Sequence, residues 1–338
     1  MGRDEPYRYR VLGLVLETSR MIPGLIPTAS SQQSDVSVSF EGLPTWFGGR
    51  LLAGCHPTVI QELAYLRVAV YRTTAGTYWH FQRTDDTEYL VGNAGRDVWI
   101  SWRDPVTFAE VCPDLFAPVF SLLLQFRGRT PLHASVVTID GRAIAFIGPG
   151  GAGKSTTAAK FAQLGYAVLS EDVLNVLSEG KEFNALPGYP VLHLWPQAAA
   201  MFRGLADSPA YQMRGEDSVR IDLQADARRS EISPSPIAAI YVLKPRMKDH
   251  AAPYIEPLEP RAAFLELLAN TLGPPLNAEA RARSFAFVAR VAADVPLRKV
   301  VPHSEPDRLE RMCELIVDDV RTTQRSPFPV NGTLFLDP

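Results

Sequence analysis

Eight consecutive residues, Gly148-Pro149-Gly150-Gly151-Ala152-Gly153-Lys154-Ser155, constrain this chain more than any other stretch. They fit G-x-x-x-x-G-K-[ST] at every position. An apolar run, "AIAFI", precedes them and an alanine-rich helical run, "KSTTAAKFAQL", follows. That order demands a strand, a tight loop and a helix. Small residues let successive backbone N–H groups curl around a phosphate, and the helix N-terminus adds partial positive charge. Lys154 reaches the β- and γ-phosphates, the Ser155 hydroxyl suits Mg²⁺, and Thr156 extends the nucleotide-contacting set into the first helical turn. The expectation is an α/β fold that binds ATP or GTP with Mg²⁺.

A phosphate loop alone fits a kinase, a switch or a motor. No N-K-x-D base-reading motif occurs, and no distant apolar strand ends in Asp-Glu. Instead, Glu171 and Asp172 follow one helix and one short strand after Lys154, in "YAVLSEDV". This places them at a strand end beside the phosphates. Adjacent residues on a strand face opposite ways, so only one faces the γ-phosphate unless the chain bends at Ser170. One carboxylate would take or orient the acceptor hydroxyl's proton while the other serves Mg²⁺. The plainer reading is two solvated acids in a turn. His133, in "PLHASVV", is structural or, if the following hairpin brings it alongside, part of the same site. Arg220, in "DSVRIDL", is a phosphate or acceptor contact, or an ordinary surface arginine. His193 and Trp195 read as packing and turn residues.

The rest of the chain divides in two. Residues 1–106 read as a β-rich module, aromatic-rich around Trp46, Tyr71, Tyr78, Trp79 and Phe81, as a packed sheet face would be. Residues 107–338 read as the nucleotide domain. It opens with an apolar helix over 107–127, expected to pack on the sheet that follows. Asp140-Gly141 marks a hairpin, and a second hairpin turns at Glu179-Gly180. Pro196 opens a helix. The polar stretch 204–235 is a candidate lid, and the C-terminal part is helical, with Ser304 as the N-cap of its last helix.

The formal net charge of −3 offers nucleic acid or an anionic membrane no global attraction. Three scattered cysteines, Cys55, Cys112 and Cys313, argue against a disulfide framework and suit the cytoplasm. No segment reads as membrane-spanning, and Asn331-Gly332-Thr333 reads as a turn.

The run "LHASVV…AIAFIGPGGAGKST…LGYAVLSEDV…PGYPVLHLWP" resembles the kinases related to HPr serine kinase, over residues 129–200. The order of histidine, loop, acid pair and "PGYP" carries the resemblance. It implies a core like that of HPr kinase and phosphoenolpyruvate carboxykinase, and phosphorylation of a serine in a peptide or protein. By the same resemblance His133 and Glu171 become the base assembly, Asp172 and Ser155 the magnesium side, and Lys154 the phosphate holder. Relatives can be oligomeric, which leaves a homo-oligomer open. The sequence departs from the family at Glu171, where HPr kinase has aspartate, and at Thr156, where it has an acid. The aromatic N-terminal module is more similar to shorter relatives found with peptide biosynthesis genes, which makes a lasso-type ribosomal peptide precursor the leading acceptor. A small-molecule alcohol kinase and a non-catalytic nucleotide-binding regulator are the alternatives.

Overall fold

Strands come first, eight of them, before any long helix: β1 (Tyr7–Val11), β2 (Leu14–Thr18), β3 (Val36–Ser39), β4 (Thr58–Glu62), β5 (Leu66–Thr73), β6 (Gly76–Arg83), β7 (Glu88–Gly92) and β8 (Asp97–Ser101). The computed structural model describes residues 6–28, 32–47, 56–63, 65–205, 210–212, 219–223 and 233–325. Cys55 and the Asn331-Gly332-Thr333 turn lie outside that range. The eight strands form one sheet in the order β1-β2-β3-β8-β7-β6-β5-β4. Alternation along the strands sends Val68, Val70, Trp79, Phe81, Tyr89 and Val91 to one face.

That face is covered by α1 (Phe108–Asp114), a π-helical turn (Leu115–Val119) and α2 (Phe120–Phe126). Pro113 and Pro118 each remove a backbone donor here, and the helix between them widens. Val111, Leu115, Phe116, Val119 and Phe120 enter the same core as the preceding sheet. The expected packing on the following sheet is therefore not what forms: the helix faces backwards, because its apolar stripe matches the inner face of β5–β8. Val173 and Tyr189 join this core too, so a division at residue 106 runs through continuous packing. The stretch Phe108–Phe126 is long and apolar enough to cross a membrane by length and composition, but 72% of its apolar 18-residue window is buried inside the protein.

A second, nine-stranded mixed sheet follows. It contains β9 (Leu132–Ile139), β10 (Arg142–Ile147), β11 (Ala167–Ser170), β12 (Val173–Leu174), β13 (Val176–Glu179) and β14 (Glu182–Ala185). The short β15 (Val191–Leu194), β16 (Ala210–Gln212) and β17 (Val219–Asp222) form a separate three-stranded sheet, and β18 (Ser235–Leu243), β19 (Tyr254–Pro257) and β20 (Leu297–Val301) complete the large one. Its helices are α3 (Lys154–Gln163), α4 (Pro196–Ala199), α5 (Pro260–Ala269), α6 (Ala278–Asp294) and α7 (Leu309–Arg325).

The two faces of β9 and β10 are both covered. Ile144 and Phe146 pack with α3 and α7, whereas Ala145 and Ile147 pack with α5 and α6. This is an α/β arrangement of helix, sheet and helix, and it explains the near-continuous apolar runs of these strands.

Several local expectations hold and several shift. Asp140 and Gly141 turn the β9–β10 hairpin with φ of 51° and 74°, and Gly165 ends α3 with φ of 90°. The β13–β14 turn uses Gly180 and Lys181, one residue later than expected, since Glu179 pairs with Glu182. The helix opened by Pro196 is a single turn that passes into a 3₁₀ segment. The last helix is entered through a 3₁₀ turn capped at Glu305 rather than Ser304. Within the candidate lid at 204–235, residues 206–209, 213–218 and 224–232 lie outside the described range; the described parts include strands β16, β17 and the start of β18.

Candidate active site

Strand direction decides what meets at one edge of the large sheet. β10 is parallel to β18, and β18 to β20. β9 is antiparallel to β10, and β11 antiparallel to β9. The C-terminal ends of β10, β11, β18 and β20 therefore share an edge with the N-terminal end of β9. The glycine loop, Glu171-Asp172 and His133 converge there, at the carboxyl ends where open α/β sheets bind ligands.

The loop leaves β10 at Gly148, whose φ is 146°; a Cβ there would lie 2.8 Å from the Leu243 carbonyl oxygen. Only glycine fits so close to β18. Gly153, with φ of 101°, caps α3 and frees the first N–H groups of the helix. The Lys154 ammonium donates to the carbonyl oxygens of Gly148 at 3.0 Å and Pro149 at 3.4 Å. Burial lowers the pKa of Lys154, while Glu171 and Asp172 pull it back up. Gly148 and Pro149 thus hold the lysine, and Gly150 to Thr156 line an open cleft.

The acid pair sits in a bend. Ser170 Oγ donates to the Val173 carbonyl at 2.5 Å, and Val173 N–H donates to the Glu171 carbonyl at 2.7 Å. These bonds close a three-residue turn on Asp172, which takes a φ of 62°. A non-glycine residue at positive φ is strained, and such strain concentrates at functional sites. The turn breaks the strand alternation without letting the acids point alike. Glu171 turns inward and is buried; Asp172 lines the cleft with its side chain 30% exposed.

Their surroundings separate them. Burial, then the Asp172 charge, push Glu171 up to about 8; Ser155, Ser135 and Lys154 counteract this only in part. Neither of its carboxyl oxygens has a hydrogen-bond partner of ordinary geometry among the described residues. Burial would raise Asp172 as well, but His133, Arg220 and His193 overcome it and bring the carboxyl down to about 2. His133 Nε2 lies 3.8 Å from Asp172 Oδ1, and Arg220 Nη1 lies 3.9 Å from Oδ2. The carboxylate beside the histidine is therefore Asp172, whereas the family resemblance groups it with Glu171. The reason is local: β12 pairs Val173 with His133, which brings the residue before Val173 close to its Nε2.

Arg220 reaches the site from β17, where it pairs with His193 of β15. The "PGYP" turn braces the bend from behind. Gly188 N–H donates to the Leu169 carbonyl at 2.9 Å, and a Cβ on Gly188 would fall 1.9 Å from Ser170 Oγ.

Three residues escaped the sequence reading. Asn270, at the end of α5, accepts the Gly148 N–H on Oδ1 at 3.0 Å and the His133 N–H on its carbonyl at 2.7 Å. Its only sequence signal was an asparagine at a helix C-terminus. Arg246, just past β18, and Arg308, just before α7, also line the cleft; in sequence they look like any surface arginine.

The donor set suits a hard cation. Ser155 lines the cleft, and beside its hydroxyl stands the buried Glu171 carboxyl, whose oxygens have no partner of ordinary geometry among the described residues. No cluster of three or more His, Cys, Asp or Glu side chains able to hold a metal occurs among the described residues. Further ligands for Mg²⁺ would come from phosphate oxygens and water, as is usual for that ion.

No family model matches the chain, and no curated protein matches it. Among solved structures it is similar to the HPr(Ser) kinase/phosphatase from Coxiella burnetii, at 11% identity over 57% of this chain and 92% of that one, with a TM-score of 0.32.

Proposed function

We propose that this chain is a kinase that moves the γ-phosphoryl group of ATP, or GTP, to a serine hydroxyl of a peptide or protein. The observation that carries the reading is the place of Asp172. It is an ionised carboxylate lining the same cleft as the phosphate loop, held between His133 and Arg220. A protein that only binds nucleotide has no use for a strained acid there.

The residues divide the work as follows. Gly150 to Gly153 offer N–H groups to the phosphates, and Lys154 and Arg220 balance their charge. Ser155, with Glu171 behind it, would hold Mg²⁺. Bound Mg-nucleotide supplies the phosphoryl group and its charge neutralisation. Asp172 orients the incoming hydroxyl and accepts its proton, which suits a weak base because transfer is largely dissociative and the proton leaves late. His133 steadies Asp172. This exchanges the roles that the family resemblance suggested for the two acids, and it rests on their opposite exposure.

The favoured acceptor is a ribosomal peptide precursor of the lasso type, on the sequence resemblance alone, and the cytoplasm is the proposed location. Neither nucleic acid nor membrane is a proposed partner; self-association is left to experiment. The test is incubation with labelled ATP and either serine peptides or small alcohols, followed by mass spectrometry. A phosphate added to peptides and lost in Lys154→Ala supports the reading. Transfer to no acceptor, with nucleotide still bound, overturns it.

A further inference from the structure

The cleft does not end at the acids. It is one continuous space of about 1240 Å³, beyond the roughly 300–1,000 Å³ that small-molecule pockets occupy. Its walls change character from end to end. Around the loop they are cationic and hydroxylic, with Lys154, Arg220, Arg246, Arg308, Ser155 and Thr156. Past His133 and Asp172 the cleft continues to the inner face of the N-terminal sheet and the helical stretch that covers it. There it meets Leu66, Val68, Trp79, Phe81, Pro118 and Leu122.

One side-chain hydrogen bond and two backbone contacts join the two ends through a short path. Gln125 Nε2 donates to the Leu272 carbonyl at 2.9 Å, Leu272 N–H donates to the Pro131 carbonyl at 2.9 Å, and Leu132 bridges Thr271. His133 follows directly. The far end has two charged groups, Arg83 and Asp114, and they neutralise each other at 2.6 Å. Two large side chains of its lining are partly exposed, Leu63 at 42% and Tyr65 at 49%.

We infer that this far arm is the acceptor subsite and that it takes an uncharged, apolar segment of peptide adjoining the serine. The inference rests on the kinase reading above for which end holds the nucleotide. The cationic end takes the phosphates; a polar sugar would leave the apolar end unused, and a charged segment would meet no counter-charge there. An apolar segment buries against these walls and carries its hydroxyl to Asp172 at the junction. The N-terminal sheet then supplies acceptor recognition that the loop and acids lack.

Binding and transfer are measured separately. Fluorescently labelled serine peptides of one length, with Leu/Phe, Gly or Glu/Lys around the serine, are titrated by anisotropy into the whole protein with a non-hydrolysable ATP analogue and Mg²⁺. The expected result is at least about tenfold tighter binding of the apolar peptides, the scale on which apolar pockets discriminate. Leu63→Glu and Tyr65→Glu, both at exposed positions, should weaken that binding several-fold while leaving nucleotide affinity unchanged. Equal binding of charged and apolar peptides overturns the inference, as does an apolar preference untouched by both variants. If the apolar peptides bind as expected but none is phosphorylated, the subsite stands and the kinase reading falls. If charged peptides are phosphorylated best, the kinase reading stands and the subsite falls; if small alcohols are, the subsite and the serine acceptor both fall.

Discussion

The two large sheets cover their faces differently. The mixed sheet has helices on both sides, α3 and α7 on one and α5 and α6 on the other, so most of β9 and β10 and the second half of β18 are buried. Among the described residues, the N-terminal sheet has a helical stretch on one face only. Part of its other face is closed by its own aromatic cluster, where Trp46 packs on Tyr78 and Trp99, and Phe47 on Tyr71 and His80. A sheet enclosed by helices has strand ends fixed in space, which is what a phosphate loop and a pair of acids require. A sheet covered on one side keeps room at its margin for a ligand. On the proposed reading the first bears the chemistry, and the second suits recognition.

The strongest way to break that comparison is at the acids. Asp172→Asn should lower transfer by about two to four orders of magnitude, the range of a lost proton acceptor, with nucleotide affinity retained. Single-turnover kinetics with parallel calorimetry separates the two effects. Glu171→Gln should act chiefly on the Mg²⁺ dependence. Loss of transfer alone in Glu171→Gln, with Asp172→Asn active, would return the roles to those suggested by the resemblance.

Glycines test rigidity in each sheet. Gly188→Ala forces a methyl 1.9 Å from Ser170 Oγ, where both groups are fixed by backbone hydrogen bonds. It should cost about 1–3 kcal/mol, as overpacking does, and reduce activity through the bend it braces. Gly92→Ala in the N-terminal sheet meets ring atoms of Trp99 and Tyr78 at 3.0 Å, and rings can shift. Its cost in urea unfolding should be the smaller of the two.

A further test is the pH dependence of stability. The folded pKa of Glu171, about 8, lies above its ordinary 4.5. The native state therefore holds a proton that the unfolded chain releases between those values, and this contribution to stability fades as pH rises through 8. Glu171→Gln removes the titration, so its melting temperature without nucleotide should fall less than that of the unmodified chain between pH 5 and 9. Asp172, held down at about 2, contributes stability above pH 4 that is lost as pH falls through 2. An unchanged pH profile in Glu171→Gln would mean that the buried carboxyl is solvated or paired.

The phosphate loop was legible because it is contiguous and its flanks announce a strand and a helix. The Asp140-Gly141 hairpin was legible for the same reason, since its positive φ values are written in the residue types. The position of the acids could be read, but not which one faces the cleft. That depends on a positive φ at Asp172, which an aspartate tolerates without signalling it. The direction of the 108–126 helix was not legible either, because an apolar stripe does not name the sheet it covers. Asn270 was the hardest to see: its bond to Gly148 spans 122 positions.

That asparagine has a mechanical consequence. A transfer in line needs the donor and the acceptor to stay aligned within a fraction of an ångström. The strand bearing His133 and the first N–H of the glycine loop are both moored to Asn270, one through its carbonyl and one through its side chain. Small movements of α5 would therefore carry both sides of the reaction together, so that their errors cancel instead of adding.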